Sequence, residues 1–261
     1  MRRLSIARII VAALSVCAAP FRLAATDLVV YTENYPPFNF TEPDGTVGGF
    51  STEKVRQVLD AAGLSYEIRV VPWARAVNFV QTQHNALIYT LTRTPKREHV
   101  YDWLVPLSDT NYYLFVRREE TREVTPEALA AGVFTASCVS GDLACELLTS
   151  AGIPVKNITP IMTAEDGDFR MVLAGRADIY ISDLAANKRM RRRAGYDPRL
   201  TKPVMRLRGD GGFYLASGPQ VPLEIRTRIK DAYKTLMESG QYEMVDLSSE
   251  FEESELPRSS Q

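Results

Sequence analysis

The chain has 261 residues, 45% of them hydrophobic, and a formal net charge of −1 at pH 7. That apolar content is enough for one large domain or two modest lobes. So small a net charge gives no reason to expect nucleic acid or an anionic membrane surface as a partner.

The first 25 residues are typical of a secretory signal peptide. The basic segment MRRLSIAR precedes an apolar run of eleven residues, IIVAALSVCAA, and FRLAA then ends in small residues. A membrane span needs about 20 apolar residues, so this run is too short for an anchor. We predict cleavage near Ala25, with Ala18 as a second candidate, and export to the periplasm. A membrane anchor and a lipid-anchored Cys17 are the alternatives.

The next part of the chain alternates short apolar strands with amphipathic helices. LVVYT, YEIRVV and ALIYTL are predicted strands, and the helices STEKVRQVLDAAG and PWARAVNFVQTQ lie between them. Ser51 is the predicted N-cap of the first helix. Strand–helix–strand alternation predicts a parallel sheet with right-handed crossovers.

The same alternation then repeats. The predicted strands are YYLFVRR, GVFTA, ADIYIS and GFYLAS, and the predicted helices are SGDLACELLTSAG, DGDFRMVLAG, PLEIRTRIKDAYKTLMESG and a short final QYEMVDLSSEF. The basic run KRMRRRAGYDPR is interpreted as a solvated helix face rather than a recognition site. The pattern indicates two α/β units in one chain, followed by a polar tail.

Polar side chains gather just past the third predicted strand, in TLTRTPKRE, which contains Thr90, Thr92, Thr94 and Arg97. Ligands of open parallel sheets bind beyond the carboxyl ends of the strands. A strand periodicity of two puts Thr90 and Thr92 on one face, and Arg97 can donate two parallel hydrogen bonds to a carboxylate. The cluster is a candidate carboxylate site. The alternative is an ordinary turn whose arginines pair with Glu98 or Asp102.

Aromatic and acidic residues stand at other predicted strand ends. Tyr35, Phe38 and Trp73 lie on the same side of the predicted sheet and can wall a pocket, with core packing as the alternative. Glu33 beside them is either a cleft carboxylate or an exposed acid. Asp183 ends the strand ADIYIS and can pair with a ligand ammonium, cap the next helix, or do both.

Two cysteines, Cys138 and Cys145, remain once the predicted signal peptide is removed. An even pair in an oxidising compartment favours a disulfide, with two partly buried free thiols as the alternative. The sequence has no Gly-rich phosphate loop and no nucleophile elbow, and His84 and His99 lack metal-ligand spacing. We therefore expect neither a cofactor nor a metal.

In the order and spacing of its motifs, the chain resembles the periplasmic solute-binding proteins of family 3, which are dominated by polar amino-acid binders of ABC transporters. The segments that carry the resemblance span about residues 28–250 and are YTENYPPFNF, GGFSTEKVRQVLDAAG, VPWARAV, LTRTPKREHVYDWLVPL, LAGRADIYISD and LMESGQYEMV.

The resemblance implies the α/β, two-lobed fold of type II periplasmic binding proteins. Each lobe is expected to be a mostly parallel sheet flanked by helices, and two crossover strands near Asp109 and Asp210 join the lobes. The expected segments are a signal peptide over 1–25, the first lobe over 26–109, the second lobe over 110–210, a return to the first lobe over 211–250 and the tail over 251–261.

The resemblance also implies roles for single residues. Tyr35 and Trp73 match aromatics that sandwich the ligand, and Thr90, Thr92 and Arg97 match the groups that hold its α-carboxylate. Asp183 matches the aspartate that takes the α-ammonium, and Ser137 lies in a small-residue turn that touches the ligand. The chain departs from the family pattern at Thr32 and Ser51, where acids are usual, and a Cys138–Cys145 pair is not a general family feature.

The implied function is periplasmic binding of a small solute, an amino acid or related carboxylate, by a monomer that delivers it to an ABC permease. The resemblance does not suggest an enzyme. Two alternatives stay open. One is a periplasmic enzyme on the same scaffold, similar to cyclohexadienyl dehydratase, with Glu33 as its acid. The other is a solute-sensing subunit for a membrane receptor.

Overall fold

The computed structural model describes residues 28–245 except 111, 163–165 and 208–210, so the predicted signal peptide and polar tail lie outside the described residues. In chain order, the strands are β1 (Leu28–Thr32), β2 (Phe40–Thr41), β3 (Val47–Gly48), β4 (Tyr66–Val70), β5 (Ala86–Thr92), β6 (Asp102–Ser108), β7 (Tyr112–Arg117), β8 (Ala136–Val139), β9 (Ile158–Ile161), β10 (Tyr180–Asp183), β11 (Thr201–Arg206) and β12 (Phe213–Ser217). The α-helices are α1 (Phe50–Ala61), α2 (Trp73–Thr82), α3 (Pro126–Ala130), α4 (Leu143–Ser150), α5 (Gly167–Leu173), α6 (Leu184–Arg193) and α7 (Leu223–Glu238). Within these ranges, no helix is both long and apolar enough to cross a membrane.

The first lobe is built on a sheet with the strand order β4–β1–β5–β12–β6. Strands β4 and β5 run parallel to β1, as the alternating sequence pattern predicts. Strand β12 comes late in the chain and runs antiparallel to both β5 and β6, so the sheet is mixed. Helix α7 then packs against α1 and β6, which brings the C-terminal part of the described chain back to the first lobe.

The second lobe holds the strands β7 to β11. Strands β10, β7 and β11 form an antiparallel sheet, and β8 and β9 form a parallel pair beside it. A parallel bridge between Ala136 and Ile179 joins the two sets. Helices α4 and α5 pack against this sheet on β8 and β10. The predicted two-lobed α/β fold is confirmed, with antiparallel strands in both sheets.

Two segments carry the chain between the lobes, one between β6 and β7 and one between β11 and β12. They lie side by side, and a hydrogen bond of 3.0 Å from the Thr110 hydroxyl to the Gly211 carbonyl joins them. A Cβ atom on Gly212 would overlap the Ser108 carbonyl, so glycine is needed where the returning segment meets the outgoing one. The predicted crossing at Asp210 itself lies outside the described residues.

Helix α1 begins earlier than predicted. Its N-cap is Gly49 and not Ser51, which already lies inside the helix and is fully buried. Gly49 has φ of 108°, and a Cβ there would sit 2.5 Å from the Phe38 carbonyl oxygen, so only glycine fits this tight entry.

The prediction of a final helix over QYEMVDLSSEF is wrong for the residues of this segment that the structure describes. Residues 241–244 are not helical, and Val245 forms a parallel bridge with Ser108. The Tyr242 hydroxyl donates to the Pro106 carbonyl at 2.6 Å, and its ring packs edge-on against Tyr233. These contacts tie the segment along β6, and residues 246–251 of the predicted helix lie outside the described residues.

Cys138 and Cys145 form a disulfide, with their Cα atoms 5.3 Å apart. Cys138 is fully buried in β8 and Cys145 lies in the first turn of α4. The disulfide therefore links the strand covalently to the helix that follows it, and the predicted disulfide is confirmed.

We expect reduction of this disulfide to lower the free energy of unfolding by about 2 kcal/mol, because the bridge closes only a short loop. The corresponding loss in melting temperature is about 4–8 °C for a chain of this size. Thermal melts of the protein with and without reductant measure the loss, and the Cys138→Ala, Cys145→Ala double variant repeats the test without reductant. An unchanged melting temperature after complete reduction would contradict a stabilising bridge.

Candidate functional site

A cavity of about 60 Å³ lies between the two lobes, beyond the ends of β1 and β5. Its walls come from both sheets and from helices α4, α5 and α6. The first lobe contributes Glu33, Asn34, Tyr35, Trp73, Thr90, Thr92, Arg97 and Phe213, and the rest of the wall consists of Tyr112, Val139, Asp142, Ala144, Asp168, Ile181, Ser182, Met190 and Arg191. The structure thus brings together five of the seven ligand-contacting residues expected from the sequence.

A bulge in β5 helps to place its two threonines. Between the pairs Leu91–Tyr214 and Ile88–Ala216, β5 has two residues where β12 has one. Thr90 lies in this bulge with φ of 58°, a conformation that β-branched residues rarely adopt. Backbone strain of this kind is typical of functional sites. The Thr90 hydroxyl donates to the Asn39 amide oxygen at 2.5 Å, and the Thr92 and Tyr112 hydroxyls lie 3.1 Å apart.

Arg97 stands in the turn after β5, with its backbone N–H donating to the Thr94 carbonyl. Its guanidinium donates one long hydrogen bond, 3.4 Å, to the Thr92 carbonyl. Over the described ranges, no carboxylate lies within ion-pair distance of it. The expected pairing of an arginine with Glu98 is made instead by Arg93, which donates two hydrogen bonds of 2.8 and 2.5 Å to that carboxylate.

Two aromatic residues form part of the wall. The Tyr35 hydroxyl accepts a hydrogen bond of 3.3 Å from the Asp183 backbone N–H, which reaches from one lobe to the other. Burial raises the pKa of Tyr35 well above its usual value. Trp73 opens α2, packs in the core with Tyr31 and Ala76, and has a buried indole N–H without a partner among the described residues. Phe38, by contrast, is a core residue.

Asp183 and Ser137 are buried and are not among the residues that line the cavity. The Asp183 carboxylate accepts from the backbone N–H groups of Ala185 and Ala186 at 2.9 and 3.4 Å, so its predicted role as the cap of α6 is confirmed. The Ser137 hydroxyl donates to the Asp168 carbonyl at 3.2 Å. Contact of either side chain with a ligand stays a prediction.

Three carboxylates line the cavity, namely Glu33, Asp142 and Asp168. Burial raises the pKa of Glu33 well above its usual value, and the charges of the other two raise it further. Burial also raises the pKa of Asp142, although nearby Arg97 opposes this shift. Burial raises the pKa of Asp168 to about 6, against the opposing charge of Arg191. The described residues contain no group of three acidic, histidine or cysteine side chains able to hold a metal ion.

The sequence interpretation considered Glu33 as a cleft acid but missed Asp142 and Asp168. Asp142 precedes α4 and accepts from the Leu143 N–H at 2.5 Å, and Asp168 accepts from the Phe169 N–H at 2.7 Å. Acidic residues at helix starts are common caps. The local sequence does not distinguish such a cap from a cleft residue. Only the arrangement of the two lobes in the structure shows that these acids line the cavity.

The interpretation of KRMRRRAGYDPR as a solvated face is wrong for one residue. Arg191 is among the largest fully buried side chains, 1% exposed, whereas Arg192 and Arg193 are exposed. Its guanidinium donates to Asp166 at 2.7 Å and lies 4.0 Å above the Phe169 ring. A signal was available, since Leu184, Asn187 and Arg191 repeat at helical spacing along the buried face of α6.

The raised carboxyl pKa values predict that the unliganded protein becomes more stable as the pH falls from about 7.5 to about 5.5. The pKa of Asp168 is about 6 in the folded chain against an ordinary 3.8, so the folded state binds the proton more tightly. This stability is fully present below about pH 3.8 and is lost as the pH rises from there through 6, and the part lost between pH 5.5 and 7.5 amounts to about 1 kcal/mol from this group alone. Thermal melts at both pH values measure it.

The Asp168→Asn variant is the control for this pH effect, because its side chain does not titrate. We expect a smaller rise in melting temperature on acidification for the variant than for the unmodified protein. Arg191, Asp142 and Asp166 all face Asp168, so the remaining effect comes from its neighbours. A melting temperature that falls between pH 7.5 and pH 5.5 would show that the cleft carboxylates do not hold protons.

The comparisons with known proteins agree with the two-lobed fold. The family model described as bacterial extracellular solute-binding proteins, family 3, matches residues 28–246. Among solved structures, a histidine kinase sensor domain with similarity to periplasmic binding proteins aligns with a TM-score of 0.72 and 20% identity, over 83% of this chain and 92% of that chain. None of the curated proteins compared matches the chain.

Two amino-acid-binding proteins have the same fold. An ancestral arginine-binding protein bound to arginine gives a TM-score of 0.69 and 18% identity, over 83% of this chain and 94% of that chain. The arginine-, lysine-, histidine-binding protein ArtJ from Geobacillus stearothermophilus gives a TM-score of 0.68 and 18% identity, over 83% of this chain and 92% of that chain. Identities this low show the shared fold, whereas the family model covers most of the sequence. The chain belongs to the bacterial extracellular solute-binding proteins, family 3.

Proposed function

We propose that the protein binds a small solute bearing a carboxylate, an amino acid or a close relative, and delivers it unchanged to an ABC permease as a periplasmic monomer. The observation that carries the proposal is the Arg97 guanidinium on the cavity wall, which has no carboxylate partner among the described residues. Thr90 and Thr92 place hydroxyls on the same wall. Solved structures with this fold that bind arginine, lysine or histidine support an amino acid as the solute.

In our proposal, capture involves separation of the lobes, because the walls of the cavity come from both of them. In our proposal the lobes comprise 26–109 with 211–250, and 110–210, and they hinge at the two crossing segments. Contacts across the cleft hold the closed arrangement, including Arg193, which donates to the Thr41 carbonyl and stacks on the Phe40 ring at 4.7 Å. The solute favours closure only through contacts that the open form lacks.

Asp183 serves in this proposal both as the cap of α6 and as a contact for the solute ammonium. Asp183→Asn is expected to keep the cap, because Asn caps a helix as well as Asp does, and to weaken binding of ammonium-bearing compounds more than of matching acids without the ammonium. Calorimetry with L-alanine and propionate, or any better-binding pair of this kind, measures the difference. Equal losses for both members would mean that Asp183 does not contact the ammonium.

The proposal as a whole is tested by a thermal-shift screen of amino acids, each paired with its amide and with the amine that lacks the carboxylate. We expect the compounds that raise the melting temperature to be carboxylates, and their amides and amines to have smaller effects. Mass spectrometry of the best compound after incubation is expected to recover it unchanged. Stabilisation by amides equal to that by acids would contradict the carboxylate cradle, and conversion of the compound would indicate an enzyme.

A sensing role is the second candidate, favoured by the structural similarity to a histidine kinase sensor domain. Both roles use the same cleft and the same closure, so binding data do not separate them. Uptake of the labelled solute by cells lacking this protein separates the two roles. Loss of uptake supports transport, whereas normal uptake with loss of a transcriptional response supports sensing.

A further inference from the structure

The disulfide between Cys138 and Cys145 encloses a short segment that supplies part of the cavity wall. Among the residues between the two cysteines, three line the cavity, namely Val139, Asp142 and Ala144. Val139 ends β8, whereas the other two stand at the start of α4. The disulfide therefore fixes both ends of a segment that belongs to the candidate site.

The turn in the middle of this segment is exposed and loosely packed. Gly141 is exposed, has φ of 80°, and has open space where a Cβ atom would stand. The Ser140 N–H donates to the Ile161 carbonyl at 2.8 Å, whereas the Asp142 N–H donates to the Val139 carbonyl, at 3.1 Å, within the turn itself. Exposed turns with little packing open readily. The covalent closure thus restricts the conformations that the wall residues can adopt.

The enclosed segment also faces the candidate carboxylate site of the first lobe. Burial raises the pKa of Asp142, and the charge of nearby Arg97 opposes this rise. The Glu146 carboxylate, next in the chain to Cys145, lies 3.7 Å from the ammonium of Lys96, next in the chain to Arg97. Such an exposed ion pair contributes little to stability, but it locates the first turn of α4 opposite Arg97. A displacement of this turn therefore changes the surroundings of Arg97.

We propose that the Cys138–Cys145 disulfide positions the second-lobe wall of the solute cavity, so that the oxidised chain binds its solute more tightly than the reduced chain does. This inference rests on the proposed solute-binding function and gives the disulfide a role in binding beyond its contribution to stability. Binding to a wall held in place costs less conformational entropy than binding to a wall that must first be ordered. Reduction therefore weakens binding even while the lobe stays folded.

A reductant reaches the Cys145 sulfur first, because Cys138 is fully buried and Cys145 is partly exposed. A thiolate of a dithiol attacks the Cys145 sulfur, the bond between the cysteines breaks, and Cys138 leaves as a thiolate that takes up a proton. The second thiol of the reductant then breaks the mixed disulfide and releases Cys145 as a thiol. Two electrons and two protons pass from the dithiol to the cysteines, and the dithiol becomes a cyclic disulfide.

The first test needs no solute. Hydrogen-exchange mass spectrometry compares the oxidised protein with the protein reduced by dithiothreitol, at a temperature where both are folded, and follows peptides that cover residues 139–145. We expect these amides to exchange about tenfold faster or more after reduction, and the amides of β7 to be unchanged. Unchanged exchange over residues 139–145 would overturn the proposal, whether or not a solute had been found.

The second test measures affinity by calorimetry. The probe is the standard L-amino acid that raises the melting temperature of the oxidised protein most. We expect its affinity to fall about tenfold or more on reduction, and to return when oxidised glutathione restores the disulfide. Equal affinity of the two redox forms would overturn the proposal. Binding of none of the standard amino acids would contradict an amino acid as the solute, and the exchange result would then decide the role of the disulfide.

Asn157→Ala is the matched control for a general loss of stability. The Asn157 side chain donates to the Gly132 and Phe134 carbonyls at 3.0 and 3.1 Å, in the second lobe, and is not among the residues that line the cavity. The variant is expected to lower the melting temperature and to leave the affinity unchanged. The Cys138→Ala, Cys145→Ala double variant is expected to match the reduced protein in affinity and exchange. A loss of affinity in Asn157→Ala equal to that on reduction would contradict a positioning role.

Discussion

Arg97→Ala is expected to weaken solute binding by about 2–5 kcal/mol while leaving the unliganded protein folded. The reason is that the guanidinium stands on the cavity wall and makes one long hydrogen bond, to the Thr92 carbonyl, so the fold loses little without it. A solute carboxylate would lose two charge-assisted hydrogen bonds in a site that excludes water. Calorimetry with the best compound of the screen measures the loss.

Two variants control this experiment. Arg97→Lys keeps the charge but not the planar fork, so we expect an intermediate loss of affinity. Arg118→Ala removes the same charge from an exposed position of the second lobe and is expected to leave the solute affinity unchanged. Unchanged affinity in Arg97→Ala would show that the carboxylate, if the solute has one, is held elsewhere.

Arg191→Ala is expected to lower the free energy of unfolding by about 3–5 kcal/mol, the largest stability effect we predict for a single polar side chain. The guanidinium is 1% exposed, pairs with Asp166, and lies 4.0 Å above the Phe169 ring and 5.4 Å above the Tyr180 ring. Its removal leaves a void between α5, α6 and β10 and leaves the carboxyl groups near it without a cation. Denaturant melts of the unliganded protein measure the change.

The neighbouring residue provides the control. Arg192 has the same side chain on the exposed side of the same helix, and Arg192→Ala is expected to change stability by less than about 0.5 kcal/mol. Arg191→Lys keeps the charge but loses the stacking and the hydrogen bond to Asn187, so we expect a loss between the two. Equal stability of Arg191→Ala and Arg192→Ala would contradict a structural role for the buried guanidinium.

The sequence predicted the fold where local pattern and topology agree. β1, β4 and β5 alternate with α1 and α2, and these elements pair in parallel as the strand–helix–strand pattern requires. Apart from the two-residue strands β2 and β3, three strands were not predicted, namely β6, β9 and β11. Each contains a proline, which weakens the strand pattern, and they are recognised only from their pairing with distant partners. The antiparallel course of β12 is a long-range property of the same kind.

The residues of the candidate site also fall into two groups, those that the local sequence indicates and those that only the fold brings together. Its first-lobe residues follow strand ends in the sequence, so a rule about strand ends was enough to find Tyr35, Thr90 and Arg97. The second-lobe residues Asp142 and Asp168 sit at helix starts, where an acid has an ordinary structural use. Their role in the cavity depends on how two distant lobes meet, and no local spacing encodes that.

The most direct test of the account is a crystal structure of the protein with the best-binding compound of the thermal-shift screen. We expect the compound to lie between the lobes, with its carboxylate within hydrogen-bond distance of the Arg97 guanidinium and of a hydroxyl of Thr90 or Thr92. A compound bound outside this cavity, or bound in it with the carboxylate turned away from Arg97, would contradict the account.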